Sequence, residues 1–244
     1  MRLIIILCLV SWPLAAQDNL REIENKAFSV GERLQFSIGW EFIDAGTAVL
    51  AVEDIQEWNG RPTYYVTATT MSNAFFSALY KVRNKLETFI DVEGIYPVRY
   101  VKKTSEGGTK RNFSVDFDHE AGTASIIDAD SGNSVIPVPR FVQDIISAFY
   151  FVRTQPLESG KDIELSTFDN GRWKSVKINV VKREKISVDA GEYNCIVVRT
   201  PIGPFNNKSD LNIWLTDDDR RIPVLMKSKI AVGSVRAELE KVVP

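Results

Sequence analysis

Apolar and polar residues alternate one by one through most of this chain, and only a β-strand puts such alternating side chains on opposite faces. Leu34, Phe36, Ile38 and Trp40 share one side of a segment whose other side is Arg33, Gln35, Ser37 and Gly39. Phe113, Val115 and Phe117 alternate in the same way with Ser114, Asp116 and Asp118. Asn59-Gly60 and Asn170-Gly171 sit between such runs, and Asn-Gly is a strong two-residue hairpin signal. About a dozen strands at a spacing of roughly 8 to 12 residues are expected, which points to an antiparallel sandwich or barrel rather than a parallel sheet. No period of 20 to 50 residues repeats, so a solenoid or propeller is not expected.

One stretch breaks the alternation. From Pro137 to Arg153 the apolar residues Phe141, Val142, Ile145, Ile146, Phe149 and Val152 recur at steps of three and four, the period of a helix. Pro137 and Pro139 are tolerated at a helix start and not inside one. A helix over about 139–153, roughly four turns long, is therefore expected to lay its apolar face on the concave side of the sheet, with Arg140, Asp144 and Ser147 on its other side. A second, shorter helix is expected within Asn73 to Val82. The expected fold is all-β: a large curved antiparallel sheet or open barrel with one principal amphipathic helix packed on it.

Residues 1–16 have a basic start at Arg2, an apolar run from Leu3 to Val10 and small residues at Ala15 and Ala16, the pattern of a secretory signal peptide. Residues 17–27 form a polar lead-in, expected to be loose, and residues 28–244 a single β domain. No apolar run reaches the roughly 20 residues of a transmembrane helix. The expected location is outside the cytoplasm, periplasmic or extracellular. Removing Arg2 with the signal takes the formal net charge from −2 to −3, which gives no electrostatic case for a nucleic-acid partner. Removing Cys8 leaves Cys195 alone, so an internal disulfide is not expected.

Catalytic chemistry has little to work with. His119 is the one histidine, and its place beside Asp118, Glu120 and Gly122 suggests a solvated turn. Cys195 lies at an alternating strand position and is read as a buried thiol. Asp217-Asp218-Asp219 lacks the alternate spacing of a calcium loop and is read as a hairpin tip. Gly107-Gly108-Thr109-Lys110 lacks the spacing of a phosphate loop and is read the same way. No catalytic residue, metal ligand or cofactor is assigned. The aromatic supply is more informative: Phe36, Trp40, Tyr64, Phe149, Tyr150 and Trp214 are candidate walls of an apolar cavity.

Several separated motifs carry a family resemblance. Phe28-x-Val-Gly-Glu-x-Leu34 with Ala45-Gly46, Tyr80-Lys-Val-x-Asn84, Glu87-Thr-Phe-Ile-Asp91, Pro97-x-Arg-Tyr100, Gln143 to Arg153 and Ile213-Trp-Leu-Thr-Asp-Asp-x-Arg220 occur in order. Together they resemble the exported domain-of-unknown-function family 3108. The resemblance implies a periplasmic, largely antiparallel β protein and carries over no catalytic residue. The leading expectation is a non-catalytic binding protein holding a lipid-like or other apolar ligand. Two alternatives stand beside it: a structural or assembly module that touches other envelope proteins, and a carboxylate-based hydrolase, which the sequence disfavours.

Overall fold

The computed structural model describes residues 21–201, 210–230 and 233–243, so the expected signal peptide lies outside the described residues. Fourteen strands form one antiparallel sheet that is not closed into a barrel. The first meander comprises β1 (Arg33–Trp40), β2 (Ile43–Trp58), β3 (Arg61–Ser72), β4 (Val82–Asp91), β5 (Pro97–Glu106), β6 (Thr109–Asp118), β7 (Thr123–Asp128) and β8 (Gly132–Pro137). The second comprises β9 (Asp162–Asp169), β10 (Arg172–Val188), β11 (Gly191–Thr200), β12 (Leu211–Thr216), β13 (Pro223–Lys229) and β14 (Ser234–Val243). Pairing of β1 with β14 joins the meanders in the middle of the sheet, so the two outer edges are β8 and β9.

Those two edges are neighbours in the chain, and what connects them is the helix. A short helix, α1 (Ala74–Leu79), sits between β3 and β4, and the principal helix, α2 (Ile145–Thr154), crosses from β8 to β9. The Asn-Gly pairs do what their chemistry allows: Asn59 and Gly60, like Asn170 and Gly171, take positive φ at the tips of the β2–β3 and β9–β10 hairpins. Ala45-Gly46, a turn or bulge by its sequence, lies inside β2 where the register against β1 shifts by one residue, and Gly46 is required there because a Cβ would meet the Met71 carbonyl oxygen at 2.1 Å.

The helix departs from expectation in two ways. It begins at Ile145, because Val142 to Asp144 are extended: the Gln143 N–H donates to the Ser166 carbonyl at 2.8 Å and the Phe168 N–H to the Gln143 carbonyl at 2.7 Å, tying this segment to β9. Asp144 then caps the helix, accepting from the Ile146 and Ser147 amides at 2.7 and 3.0 Å, while Ser147 Oγ accepts from the Asp144 N–H. The side expected to be polar is also buried, for both Asp144 and Ser147 are fully covered. Thr88 on β4 donates its hydroxyl to the other Asp144 oxygen at 2.6 Å, so the sheet satisfies the cap. Only Arg140 on that side is exposed.

The lead-in is fastened, not loose, from Arg21 onward. Arg21 donates to the carbonyls of Gly94 and Ile95 at 2.9 Å and lies over the rings of Phe141 and Phe151. Ala27 and Phe28 are buried, and β1 starts only at Arg33. Among the described residues no helix is long and apolar enough to cross a membrane.

Candidate functional site

The curl of the sheet around α2 divides the interior into two halves. In one half, between α2 and strands β2 to β7, side chains fill the space: Val52, Val66, Ile90, Tyr100, Val115 and Ala124 are all essentially without solvent contact. Phe28 closes this half, its ring set edge-on to Tyr150 at 4.5 Å and to Tyr64 at 5.2 Å.

Beneath Phe28 lies a buried ion pair. Arg153, in the last turn of α2, donates to both oxygens of Glu32 at 2.7 and 2.8 Å, and both side chains are almost wholly covered. The guanidinium also donates to the carbonyls of Ala27 and Arg220 at 2.9 and 3.0 Å. Two planar groups meeting in parallel, with the remaining protons satisfied by carbonyls, is the geometry in which a buried pair can hold. It locks the strand-leading segment, the helix and the β12–β13 turn to one another. The composition of the chain gave no sign of it; Glu32 and Arg153 stand 121 residues apart.

In the other half the facing surfaces meet only in part, where Val152 and Leu157 pack on β10 to β12. A cavity of about 810 Å³ lies between α2 and the inner faces of β1 to β4 and β10 to β14. Its walls are mainly aliphatic and aromatic, including Phe36 and Trp40 from β1, Leu86 from β4, Ile213 from β12, and Ile145, Phe149 and Val152 from α2. This volume lies in the range of small-molecule sites and is far more than packing defects leave in a filled interior. The cavity reaches solvent beside α1, where Met71 and Tyr80 line it and are themselves exposed. Phe76 of α1 faces inward against Trp40 at 6.1 Å between ring centres, while Phe75 and Leu79 on the same helix project outward. Phe42 and Ile43, at the β1–β2 tip beside α1, are exposed too, Phe42 at 97%. Asn73, the cap of α1, binds that tip through the carbonyls of Ala45 and Asp44.

Three of the six aromatic residues expected to line a cavity do so: Phe36, Trp40 and Phe149. Tyr64 and Tyr150 instead belong to the filled half, packed on Phe28. Trp214 is on the face of β12 opposite Ile213 and Leu215, with its indole N–H on Glu184 at 2.7 Å. Alternation had revealed which residues share a face but not which face turns inward, and for Trp214 the inner face carries Ile213. The aliphatic walls, which make up most of the lining, give no distinctive sequence signal.

The remaining candidates are structural. His119 is buried, not solvated: it bridges the Pro97 carbonyl at 2.7 Å through Nε2 and accepts the Phe141 N–H at Nδ1 at 3.0 Å. That arrangement requires the neutral ring, and burial pulls its pKa below 6.5. Cys195 is buried in β11, and burial, with the nearby charges of Glu184, Asp217 and Asp218, pushes its thiol up to about 11. It is protonated and unreactive at neutral pH. Asp218 accepts from the Thr216 hydroxyl and from the amides of Arg220 and Arg221, and so shapes the β12–β13 turn. Asp217 pairs with Arg183 at 2.9 Å.

The fold has a solved counterpart. A β-barrel-like protein of domain of unknown function DUF1849 from Brucella abortus matches at a TM-score of 0.57 and 14% identity, covering 88% of this chain and 97% of that one. At this identity the likeness is one of fold. A candidate lipoprotein from Parabacteroides distasonis matches at a TM-score of 0.33 and 10% identity, over 91% of this chain and 99% of that one. A candidate exported protein with a YmcC-like fold from Bacteroides fragilis matches at 0.34 and 12%, over 91% and 100%. No curated protein matches the sequence. Residues 35–240 do match one family, and they span both meanders, α2 and the cavity: the chain belongs to the family of proteins of unknown function DUF3108.

Proposed function

We propose that this protein is an exported, non-catalytic binding protein whose hollow half holds an apolar, chain-like ligand. The observation that carries the reading is the apolar cavity of about 810 Å³ in a molecule whose other half is fully packed. An apolar void of this size forgoes dispersion contacts along its whole lining, and a hydrocarbon chain would restore them. The exposed Phe42, Phe75 and Leu79 at the cavity entrance support passage of such a chain at that end. The signal-like residues 1–16 support export. The protonated Cys195, the neutral His119 bound on both ring nitrogens and the occupied carboxylates of Glu32 and Asp218 favour binding over catalysis.

The test uses N-phenyl-1-naphthylamine, a neutral fluorophore that brightens in apolar sites, together with quenching of Trp40. The wild-type protein is expected to bind it saturably, and Ala48→Phe, which puts a ring into the cavity, to weaken binding at least tenfold. Equal binding by both proteins would refute the reading. One observation favours the assembly alternative: β8, with Val135 exposed, has a strand partner on one side only, leaving an edge that another strand could extend.

A further inference from the structure

The cavity wall is uneven in polarity. Most of it is hydrocarbon, but Thr70 and Ser72 at the end of β3, Asn84 near the start of β4, Glu106 at the end of β5 and Tyr80 at the C-cap of α1 gather at one end of the cavity. A ligand with one polar end would place that end here, beside the opening. Glu106 is the single charged side chain in the described lining, and no Lys, Arg or His of the described residues lines it. Asn84 fixes the carboxylate: its amide N–H donates to Glu106 Oε1 at 2.5 Å while its oxygen accepts the Ser105 N–H at 3.1 Å. The neighbouring cations stand outside the lining: Arg83 is exposed on β4 next to Asn84, its Nη1 donating to the carbonyls of Ser72 and Val82, and Lys81, whose carbonyl accepts the Gly107 N–H, and Lys110, opposite Ser105, are exposed too. Arg83 holds the strand ends together from outside the lining.

From this we infer that the site selects its ligand by head group: it takes lipids whose polar end is a hydroxyl or an amine and discriminates against free fatty acids and other anionic heads. The inference rests on the apolar-cavity reading and deepens it. A carboxylate or phosphate entering beside Glu106 meets a like charge in a partly desolvated place, where Coulomb repulsion is stronger than in water. A hydroxyl or ammonium head finds an oriented acceptor, and the hydrogen bond is charge-assisted. The hydrocarbon walls are indifferent to the head, so chain length sets affinity and Glu106 sets the ranking.

Competition against N-phenyl-1-naphthylamine with dodecanol, dodecylamine and dodecanoate, all below their aggregation limits at pH 7.5, separates these contributions. The alcohol and amine are expected to displace the probe at concentrations about tenfold lower than the acid. Glu106→Gln keeps the shape and removes the charge; it is expected to bring the acid to within about twofold of the alcohol and to cancel the advantage of the amine. Dodecanoate competing as well as dodecanol on the wild type, or an unchanged ranking in Glu106→Gln, would overturn the head-group inference while leaving the cavity reading intact. Displacement by none of the three would overturn both.

Discussion

The two halves of the interior are built from the same kind of strand and differ in what faces them. Around β2 to β7 the sheet meets Phe28, Tyr150 and the inner side of α2, and the buried Arg153–Glu32 pair draws these pieces together. Around β10 to β14 the sheet packs on Val152, Leu157 and Phe149 near the end of α2, and the remaining inner surface faces open space. One half therefore spends its apolar surface on stability, and the other keeps part of it available. An open sheet allows this asymmetry, because its curvature does not have to be uniform as it does in a closed barrel.

The comparison breaks most readily at the ion pair. Arg153→Met removes the bidentate partner of the buried Glu32 carboxylate and leaves only the half-exposed Arg220, 3.7 Å away, to offset its charge, and a loss of about 3 kcal/mol is expected in urea denaturation. Adding Glu32→Leu to that variant is expected to recover most of the loss, because it is the orphaned charge that costs, not the missing attraction. A double variant as unstable as the single one would show that the pair does more than satisfy its own burial.

Truncations sharpen the contrast. Ile90→Ala, in the filled half, opens a void among packed neighbours and is expected to cost about 2–5 kcal/mol. Ile213→Ala, in the cavity wall, enlarges a space already present, and about 1–2 kcal/mol is expected from lost burial alone. Equal costs would mean that the hollow half is packed in solution. Enlargements run the other way: Ala124→Phe in the filled half is expected to cost about 1–3 kcal/mol, and Ala48→Phe in the cavity wall to stay within about 0.5 kcal/mol.

The smallest expected effect is that of pH, and it belongs to the filled half. Burial disfavours the charged ring of His119 by more than the Pro97 carbonyl at Nε2 favours it, so its folded pKa lies below the ordinary 6.5. The unfolded chain then binds the proton first, and stability that is complete above pH 6.5 declines as pH falls toward the folded value. Denaturation midpoints at pH 7.5 and 5.5 check this; the decline is expected to shrink in His119→Gln.

Much of the fold was legible because it is written in local chemistry. Alternation marked the strands, and Asn59-Gly60 and Asn170-Gly171 marked two hairpins at their true positions. What the local pattern could not carry was long-range. β1 pairs with β14 from the opposite end of the chain. Asp144 and Ser147 look like the wet side of an amphipathic helix and are buried because Thr88, on a distant strand, completes the cap. The cavity was half legible for the same reason: Phe36, Trp40 and Phe149 are large enough to notice, whereas a void is set by how far two surfaces stand apart, which no spacing in the sequence encodes.

The central claim is that the hollow half is a place for a hydrocarbon chain, and native mass spectrometry of the protein isolated from its source cells, followed by solvent extraction of whatever travels with it, tests it most directly. The wild-type chain is expected to carry an adduct of lipid mass that organic solvent removes and that is absent from Ala48→Phe. A bare polypeptide mass for the wild type, with no lipid in the extract, would contradict it.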